Sequence, residues 1–215
     1  SLLDGLGKLD ALIDRARSFD MDSLAITDHG AMYGSFKFYL KAKAAGIKPI
    51  IGVETYVARR SRFDKEPKVD TDPYHLVLLA KNVTGYKNLM KLVTIAHLEG
   101  YYYRPRIDWD LLQKHASGLI CLSACLQGQV SSLLREGANA EAEKVAIAYS
   151  ELFGPDHYYI ELQRHPKIPD CDIVNEKLVK LARKLGLPLV ATNDVHYVDP
   201  DDSEAQEILL CVQTQ

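Results

Sequence analysis

The chain has 215 residues, 47% of them hydrophobic and 26% charged, with a formal net charge of -3 at pH 7. These values are typical of a globular protein with one substantial hydrophobic core. They argue against a protein whose main task is to hold nucleic-acid phosphates, because such proteins carry clustered excess Lys and Arg. Any contact with DNA should therefore be local.

The sequence carries no sign of a membrane or secreted protein. No apolar run approaches the ~20 residues that a membrane-spanning helix needs, and the chain does not open on the basic-then-apolar order of a signal peptide. The cysteines at positions 121, 125, 171 and 211 are too few and too scattered for a disulfide framework, and we expect them to be reduced. We therefore predict a cytoplasmic protein without membrane contacts.

Both ends of the chain look like cuts in a longer polypeptide. There is no initiator Met, and the final segment ILLCVQTQ stops inside an apolar helical pattern without a cap or a Gly stop. We expect residues 1–215 to form one domain of a longer protein.

Strands and helices are predicted to alternate along the chain. Apolar runs rich in β-branched residues predict six strands, at residues 23–27, 49–57, 75–80, 118–122, 158–162 and 188–192. Helical patterns lie between and after them, at residues 8–19, 31–45, 84–98, 125–136, 139–153, 172–186 and 202–213. This alternation favours parallel βα units in an α/β barrel or a doubly wound sheet. The charged stretch 59–73 is predicted to be a long loop, of a kind that is commonly functional or mobile.

The sharpest local signal is the segment ITDHG at residues 26–30. Its Asp28 and His29 directly follow a predicted strand and precede a helix. In barrels and open α/β sheets, side chains converge on a site at the carboxyl ends of strands. Taken alone, the pair is explained equally well by a helix-capping Asp and a hydrogen-bonded His.

Two further strand ends carry suitable side chains. Asp194 and His196 follow the last predicted strand, and an Asp-x-His pair in extended backbone would place both side chains on one face, within reach of one cation. A capped turn is the alternative for this pair. Glu54 ends an apolar run, where an unpaired charge would be costly, so it needs a partner and a metal ion is one candidate.

Four other residues are weaker candidates. His75 stands at the head of its predicted strand rather than at its tail, which suits a ligand at a barrel mouth less well. Cys125 is predicted at a helix start, where the backbone dipole favours a thiolate, although a lone Cys is more often a small core residue. His165 follows a strand and Asp4 precedes the first helix. Together, the strand ends that each deliver an imidazole, carboxylate or thiol predict a metal centre.

The segment GYYYRPRIDWD at residues 100–110 combines three consecutive tyrosines with Arg104 and Arg106. Such a mixture could hold a phosphate and stack a base. Aromatic packing on a loop with solvated arginines is the alternative. The chain has no GxGxxG, Walker, GxSxG or HExxH motif, so dinucleotide-binding, nucleotide-triphosphatase and serine-hydrolase functions lack their usual motifs.

Eight segments, in this order, resemble the PHP (polymerase and histidinol phosphatase) domain of bacterial DNA polymerase III alpha subunits: SLLDG, ITDHG, GIKPIIGVE, HLVLLAKN, TGYKNLMKL, YYYRPRID, ATNDVHY and LLCVQT. The resemblance covers essentially the whole chain. The spacings from Asp4 to His29 and from His29 to Glu54, each 25 residues, also match that family. The resemblance implies a distorted seven-stranded (β/α) barrel whose first strand, with a His-x-His pair, lies upstream of SLLDG and is lacking here.

The resemblance also implies a set of metal ligands that, together with the missing histidine pair, could hold up to three divalent ions, zinc or manganese. These ligands are Asp4, His29, Glu54, His75, Cys125, Asp194 and His196. Asp194 would act in catalysis through the metal, and no separate general base is assigned. Asp28 and His165 would lie behind the ligands. The segment ELQRHP departs from the His-Gly ending usual in this family, so His165 receives no ligand role.

In the intact polymerase, the resemblance implies, the domain would hydrolyse phosphodiester bonds as a metal-dependent 3′-5′ exonuclease in proofreading, while polymerisation belongs to another domain. Expected partners are the other polymerase domains, primer-template DNA, a proofreading exonuclease subunit and other replisome proteins. Two alternatives stay open: a non-catalytic, metal-stabilised docking module, and a stand-alone phosphatase of the same fold. YYYRPRID and LLCVQT argue against the phosphatase because they resemble the polymerase branch.

Overall fold

A curled, open sheet forms the centre of the fold. The computed structural model describes residues 4–154, 156–165 and 167–213, so the segments SLLDG and LLCVQT lie partly outside the described residues. The strands in this part of the chain are β1 Ser23–Ile26, β2 Lys48–Val57, β3 Tyr74–Ala80, β4 Tyr101–Tyr102, β5 Arg104–Ile107, β6 Leu119–Leu122, β7 Tyr158–Gln163 and β8 Leu189–Thr192. Their order is β4-β5-β2-β3-β6-β7-β8, and β1 also pairs with β2.

The helices cover the outside of this sheet. They are α1 Leu9–Ser18, α2 Ser35–Ala44, α3 Val83–Leu98, α4 Trp109–His115, α5 Gln129–Arg135, α6 Asn139–Phe153, α7 Pro169–Leu185 and α8 Ser203–Gln213, the last preceded by a 3-10 turn at Pro200–Asp202. The predicted strands and helices are all present, with shifted ends. Two features between residues 100 and 116 were not predicted: the β4–β5 hairpin and α4, which are too short to give a periodic pattern.

Strand β3 runs antiparallel to both of its neighbours, β2 and β6. The expectation of parallel βα units is therefore wrong at this strand. The physical reason lies in the connection: β2 and β3 are joined by the loop 58–73 rather than by a crossover helix, so the chain reverses direction. As a result, the amino end of β3 lies at the same sheet edge as the carboxyl ends of β2 and β6.

The main hydrophobic core lies under β2, β3, β6 and β7, where α3, α5, α6 and α7 pack. Leu78, Leu89, Leu112 and Ile160 are all completely buried there. A smaller cluster around Phe38 joins α1, α2 and β1. Burial of a Leu side chain is worth roughly 2 kcal/mol, so the main cluster holds the strands that carry the site in place.

The sheet is open between β1 and β8. Among the described residues, β1 pairs with β2 alone and β8 with β7 alone, so each has one unpaired edge. The chain before α1 approaches this opening, where Gly7 N–H donates to the carbonyl of His196 and Leu6 N–H donates to the side chain of Gln206. The fold is thus α/β with a half-closed barrel of mixed strands.

No helix in the described ranges is both long enough and apolar enough to cross a bilayer. The four cysteines are all free thiols.

Candidate metal centre

The seven predicted ligands line one cavity of about 430 Å³ at the edge of the sheet. They are Asp4, His29, Glu54, His75, Cys125, Asp194 and His196. Because they lie as far apart in sequence as residues 4 and 196, only the folded sheet brings them together.

His29 and Glu54 are placed by a short extension of the β1–β2 pairing. His29 pairs with Glu54 as an isolated parallel bridge beyond the end of β1. Glu54 N–H donates to the carbonyl of Asp28, and Gly30 N–H donates to the carbonyl of Glu54, at 3.2 and 2.8 Å. Glu54 lies within β2 rather than at its end, and its side chain is almost completely buried. The bridge therefore fixes an imidazole beside a buried carboxylate.

His75 reaches the cavity because β3 is reversed. From the sequence, its position at the head of the strand argues against a role as a ligand. In the structure, however, the amino end of β3 is the end that faces the site. Its backbone N–H donates to the carbonyl of Gln127, and its Nδ1 lies 2.6 Å from Oε1 of Glu54. His75 is thereby held between β2 and the turn that follows β6.

Cys125 lies in that turn and not at a helix start as predicted. Residues 123–128 curl tightly, with Ala124 at a φ of 64° and Gly128 N–H donating to the carbonyl of Cys125, so α5 begins only at Gln129. Cys125 Sγ lies 3.8 Å from His75 Nδ1. The turn, rather than a helix dipole, places the thiol in the cavity.

Asp194 and His196 lie in a second tight turn, after β8. Asp194 adopts a φ of 51°, so the predicted extended backbone is wrong at this residue. The left-handed conformation is one that Asp tolerates better than most residues. His196 Nδ1 lies 2.9 Å from the carbonyl of Asp194, which closes the turn and keeps both side chains in the cavity.

Asp4, His29 and His196 form a first group whose ligand atoms lie within 4.8 Å of one another. Asp4 Oδ2 is 3.3 Å from Nε2 of both histidines. That oxygen is buried and accepts no hydrogen bond of good geometry from the described residues. A buried carboxylate oxygen facing two imidazoles is an arrangement that a divalent cation would satisfy, so these residues fit a metal ion.

Glu54, His75 and again His29 form a second such group. His29 Nδ1 lies 3.7 Å from Oε2 of Glu54. A neutral imidazole has one free lone pair, so His29 can serve only one of the two groups at a time. Cys125, whose Sγ lies near His75, and Asp194 also line the cavity and offer further donor atoms.

Residues 1–165, more than half of the chain, match the family model described as PHP domain. The chain belongs to the PHP domain family.

This PHP domain is also similar, over its whole length, to bacterial polymerase subunits. It is 51% identical over 215 residues to the DNA polymerase III subunit alpha of Borreliella burgdorferi, and 51% identical over 216 residues to that of Treponema pallidum. Both matches cover 100% of this chain but only 19% and 18% of the relatives. The chain therefore spans about a fifth of the length of these curated relatives.

Among solved structures, a proposed metal-dependent phosphoesterase from Bifidobacterium adolescentis superposes on the PHP domain with a TM-score of 0.59. The match covers 97% of this chain and 93% of the other, at 12% sequence identity. Likeness at this identity establishes the fold alone. The half-closed sheet is thus the distorted (β/α) barrel predicted from the sequence.

The electrostatics of the PHP cavity favour ionised carboxylates beside a protonated imidazole. The close polar contact with the His196 imidazole lowers the pKa of Asp4, and the same contact raises the pKa of His196 to about 9. Burial pushes the pKa of Glu54 upward, but the hydrogen bond from His75 and the charge of His29 outweigh it, and the net shift is downward.

Two other cavity groups respond mainly to burial. Burial, together with the nearby charge of Glu54, raises the pKa of Asp194 and raises the pKa of the Cys125 thiol to about 12. A positive ion in the cavity would reverse both shifts, because it stabilises the carboxylate and the thiolate.

The other predicted site residues lie around the cavity or away from it. His165 and Asp28 are not among the lining residues; His165 contacts the side chain of Gln163, and Asp28 lies near Gly34 before α2. Arg104 lines the cavity and is exposed.

The structure does not support the predicted phosphate contact of Arg106. This side chain is completely buried. Its guanidinium donates to the backbone carbonyls of Gly100, Asp70, Arg62 and Asp64. Its donors are therefore engaged in fixing the loop 58–73 against the sheet.

Sequence reasoning missed Tyr56, Gln127 and Glu161. Tyr56 and Gln127 line the cavity. Tyr56 follows Glu54 by two positions on a strand, so the alternation of side chains could have found it. Glu161 is a buried carboxylate behind Cys125 that accepts from Thr192 and Gln163, and burial raises its pKa. An acidic residue inside the apolar run YYIEL was the available signal.

Proposed function

We propose that this PHP domain, within the intact polymerase subunit, hydrolyses phosphodiester bonds at the 3′ end of DNA with the help of divalent metal ions. The observation that carries the proposal is the first ligand group, in which the buried oxygen of Asp4 faces two imidazoles inside an open cavity. The likeness to DNA polymerase III alpha subunits over the whole chain supports DNA as the substrate.

Different residues would bind different metal ions. Asp4, His29 and His196 would hold one ion, and Glu54, His75, Cys125 and Asp194 would hold further ions, with zinc or manganese suited to this mixture of nitrogen, oxygen and sulfur donors. When bound, a divalent ion polarises the phosphodiester and lowers the pKa of water, so no separate general base is needed.

Arg104 stands at the rim, where its guanidinium can hold a phosphate oxygen as the bond breaks. Tyr56 lines the cavity beside it, and its ring is stacked with that of His29, with centroids 6.0 Å apart. Burial raises the pKa of the Tyr56 hydroxyl, which therefore stays protonated and can donate a hydrogen bond.

We also propose a location and partners for the domain. By likeness to replicative polymerase subunits, the domain would work in the bacterial cytoplasm, joined to the remaining polymerase domains and close to primer-template DNA. Other replisome proteins, including a proofreading exonuclease subunit, would be its neighbours.

The test is metal-dependent 3′-5′ exonuclease activity of the full-length subunit on a primer with a mispaired 3′ end. Asp194→Asn should reduce the rate at least 100-fold while leaving nucleotide incorporation intact. His157→Asn, which changes a histidine outside the cavity, is the matched control and should behave like the unchanged protein. Metal bound at normal stoichiometry without hydrolysis in any variant would overturn the proposal and favour the docking module.

A further inference from the structure

The β4–β5 hairpin lies directly beside the proposed metal site. A Cβ atom on Gly30, the residue after His29, would lie 2.7 Å from Cγ of Pro105 and 3.2 Å from the ring of Tyr56. Gly30 also adopts a φ of 59°, which a residue with a side chain rarely does. The hairpin and the ITDHG segment are therefore packed so closely that only glycine fits between them.

The base of the hairpin is anchored by hydrogen bonds and closely packed. Arg106 anchors it through the backbone carbonyls named above, and the guanidinium lies 5.3 Å from the ring centroid of Tyr102. A Cβ on Gly100 would lie 1.9 Å from the carbonyl oxygen of Arg106, so the two ends of the hairpin touch. A platform fixed in this way loses little conformational entropy when it binds a ligand.

The tip of the hairpin presents a strained aromatic residue to solvent. Tyr103 has a φ of 58° and its side chain is 68% exposed. A non-glycine residue in this conformation costs about 1 kcal/mol, and such strain is concentrated at functional sites. The ring forms a T-shaped pair with that of Tyr102, with centroids 4.8 Å apart, and most of its surface still faces solvent. Neighbouring Tyr101 is 53% exposed.

Arg104, next to this tip, has no carboxylate partner in the described part of the chain. The other arginines of this region are engaged: Arg59 with Asp72, Arg60 with Asp70, and Arg62 with Asp108. The Arg104 guanidinium instead lies 5.7 Å from the ring centroid of Tyr56, on the cavity rim. It is thus a cation available to an anionic ligand.

From these observations we infer that the hairpin is a nucleotide platform, on which Tyr103 stacks the terminal base of a single-stranded DNA end while Arg104 holds the adjoining phosphate at the cavity. A single-stranded end suits this platform because its terminal base is unpaired and can turn a free face to the ring of Tyr103. The inference rests on the proposed function, because it supplies the substrate-binding part of that site.

The experiment uses the full-length subunit that contains this domain and a short single-stranded oligodeoxynucleotide ending in 5-iodouracil. The chelator EDTA is present, so hydrolysis plays no part. Ultraviolet crosslinking joins the halogenated base to an aromatic ring that stacks on it, and mass spectrometry of the peptides locates the bond. We expect a crosslink within residues 101–104.

Three variants separate stacking from folding. Tyr103→Gly relieves the strained φ, so it should fold at least as well, yet it should lose the crosslink at least tenfold. Tyr103→Phe keeps the ring and should keep the crosslink. Tyr39→Ala, an exposed tyrosine on α2 outside the cavity, is the matched control.

Crosslinks confined to other parts of the protein, or a Tyr103→Gly protein that crosslinks like the unchanged one, would overturn the inference. The outcome is independent of catalysis. A normal crosslink without metal-dependent hydrolysis in the exonuclease assay would contradict the proposed function but still support the platform. Metal-dependent hydrolysis without a crosslink at residues 101–104 would contradict the platform alone.

Discussion

The two sides of the candidate site are built differently. Glu54, His75 and Cys125 come from β2, β3 and the turn after β6, which lie over the main core and have neighbours on both edges. Asp4, Asp194 and His196 come from chain segments beside the open edges of β1 and β8. The closed side therefore holds its ligands by packing, whereas the open side relies on a few hydrogen bonds.

The largest expected difference is in side-chain burial. Leu78 of β3 is 0% exposed and Leu189 of β8 is 41% exposed. Leu78→Ala should lower the free energy of unfolding by about 3 kcal/mol, because it leaves a cavity in the main core. Leu189→Ala should cost less than about 1 kcal/mol. Urea denaturation of both variants measures this, and equal losses would contradict the contrast.

Removal of metal should affect the open side more than the closed side. At a metal concentration 100 times Kd, binding stabilises the folded state by about 2.7 kcal/mol. We expect chelation to accelerate amide hydrogen exchange chiefly in residues 4–7 and 193–197, with little change in β3. Hydrogen exchange followed by mass spectrometry would show it. Equal acceleration of hydrogen exchange on both sides would mean that packing alone does not hold the ligands of the closed side in place without metal.

Gln206 is the main hydrogen-bonding residue of the open side. Its buried side chain accepts from Leu6 N–H and donates to the carbonyl of Asp4. Gln206→Ala should cost about 1–2 kcal/mol of stability. It should also weaken metal binding about tenfold, because Asp4 is no longer oriented. Calorimetric titration would measure the affinity, with exposed Gln113→Ala as the control; unchanged affinity would show that Asp4 is held by other contacts.

The smallest predicted effect concerns pH and the loop 58–73 on the closed side. The hydrogen bond from Arg60 lowers the pKa of Asp70 below its usual value of 3.8. Because the folded-state pKa is the lower one, this contact stabilises the fold above about pH 4 and is lost as the pH falls through the folded value. Asp70→Asn should therefore make the free energy of unfolding fall less steeply as the pH is lowered below about pH 4. A profile with the same slope as the unchanged protein would contradict it.

Much of the fold and most of the candidate site could be predicted from the sequence, since long apolar strands and the residues at their ends follow simple patterns. The sequence pattern ranks His75 as a weaker ligand candidate, because the direction of β3 depends on its connection to β2. The sequence did identify residues 59–73 as a loop, and adjacent strands joined without a helix are commonly antiparallel. Joining those two facts would have placed His75 at the correct edge.

The remaining errors arise from tertiary contacts. Arg104 and Arg106 are two positions apart on one strand, yet one is exposed at the cavity and the other is buried under a loop that lies 36 to 44 residues earlier in the chain. The left-handed turn at Ala124 is held against β7, where Ser123 N–H donates to the carbonyl of Tyr159, whereas the turn at Asp194 is closed locally by His196. Local propensity gives no warning of either.

The contact between the start of the chain and α8 bears on how the protein folds. The hydrogen bond from Leu6 to Gln206 joins residues 200 positions apart, whereas Glu54 and His75 are separated by 21. Closing a longer loop costs more entropy and slows the contact. The closed side should therefore assemble early, even while the chain is still leaving the ribosome, and the group of Asp4, His29 and His196 should form only when synthesis has passed α8.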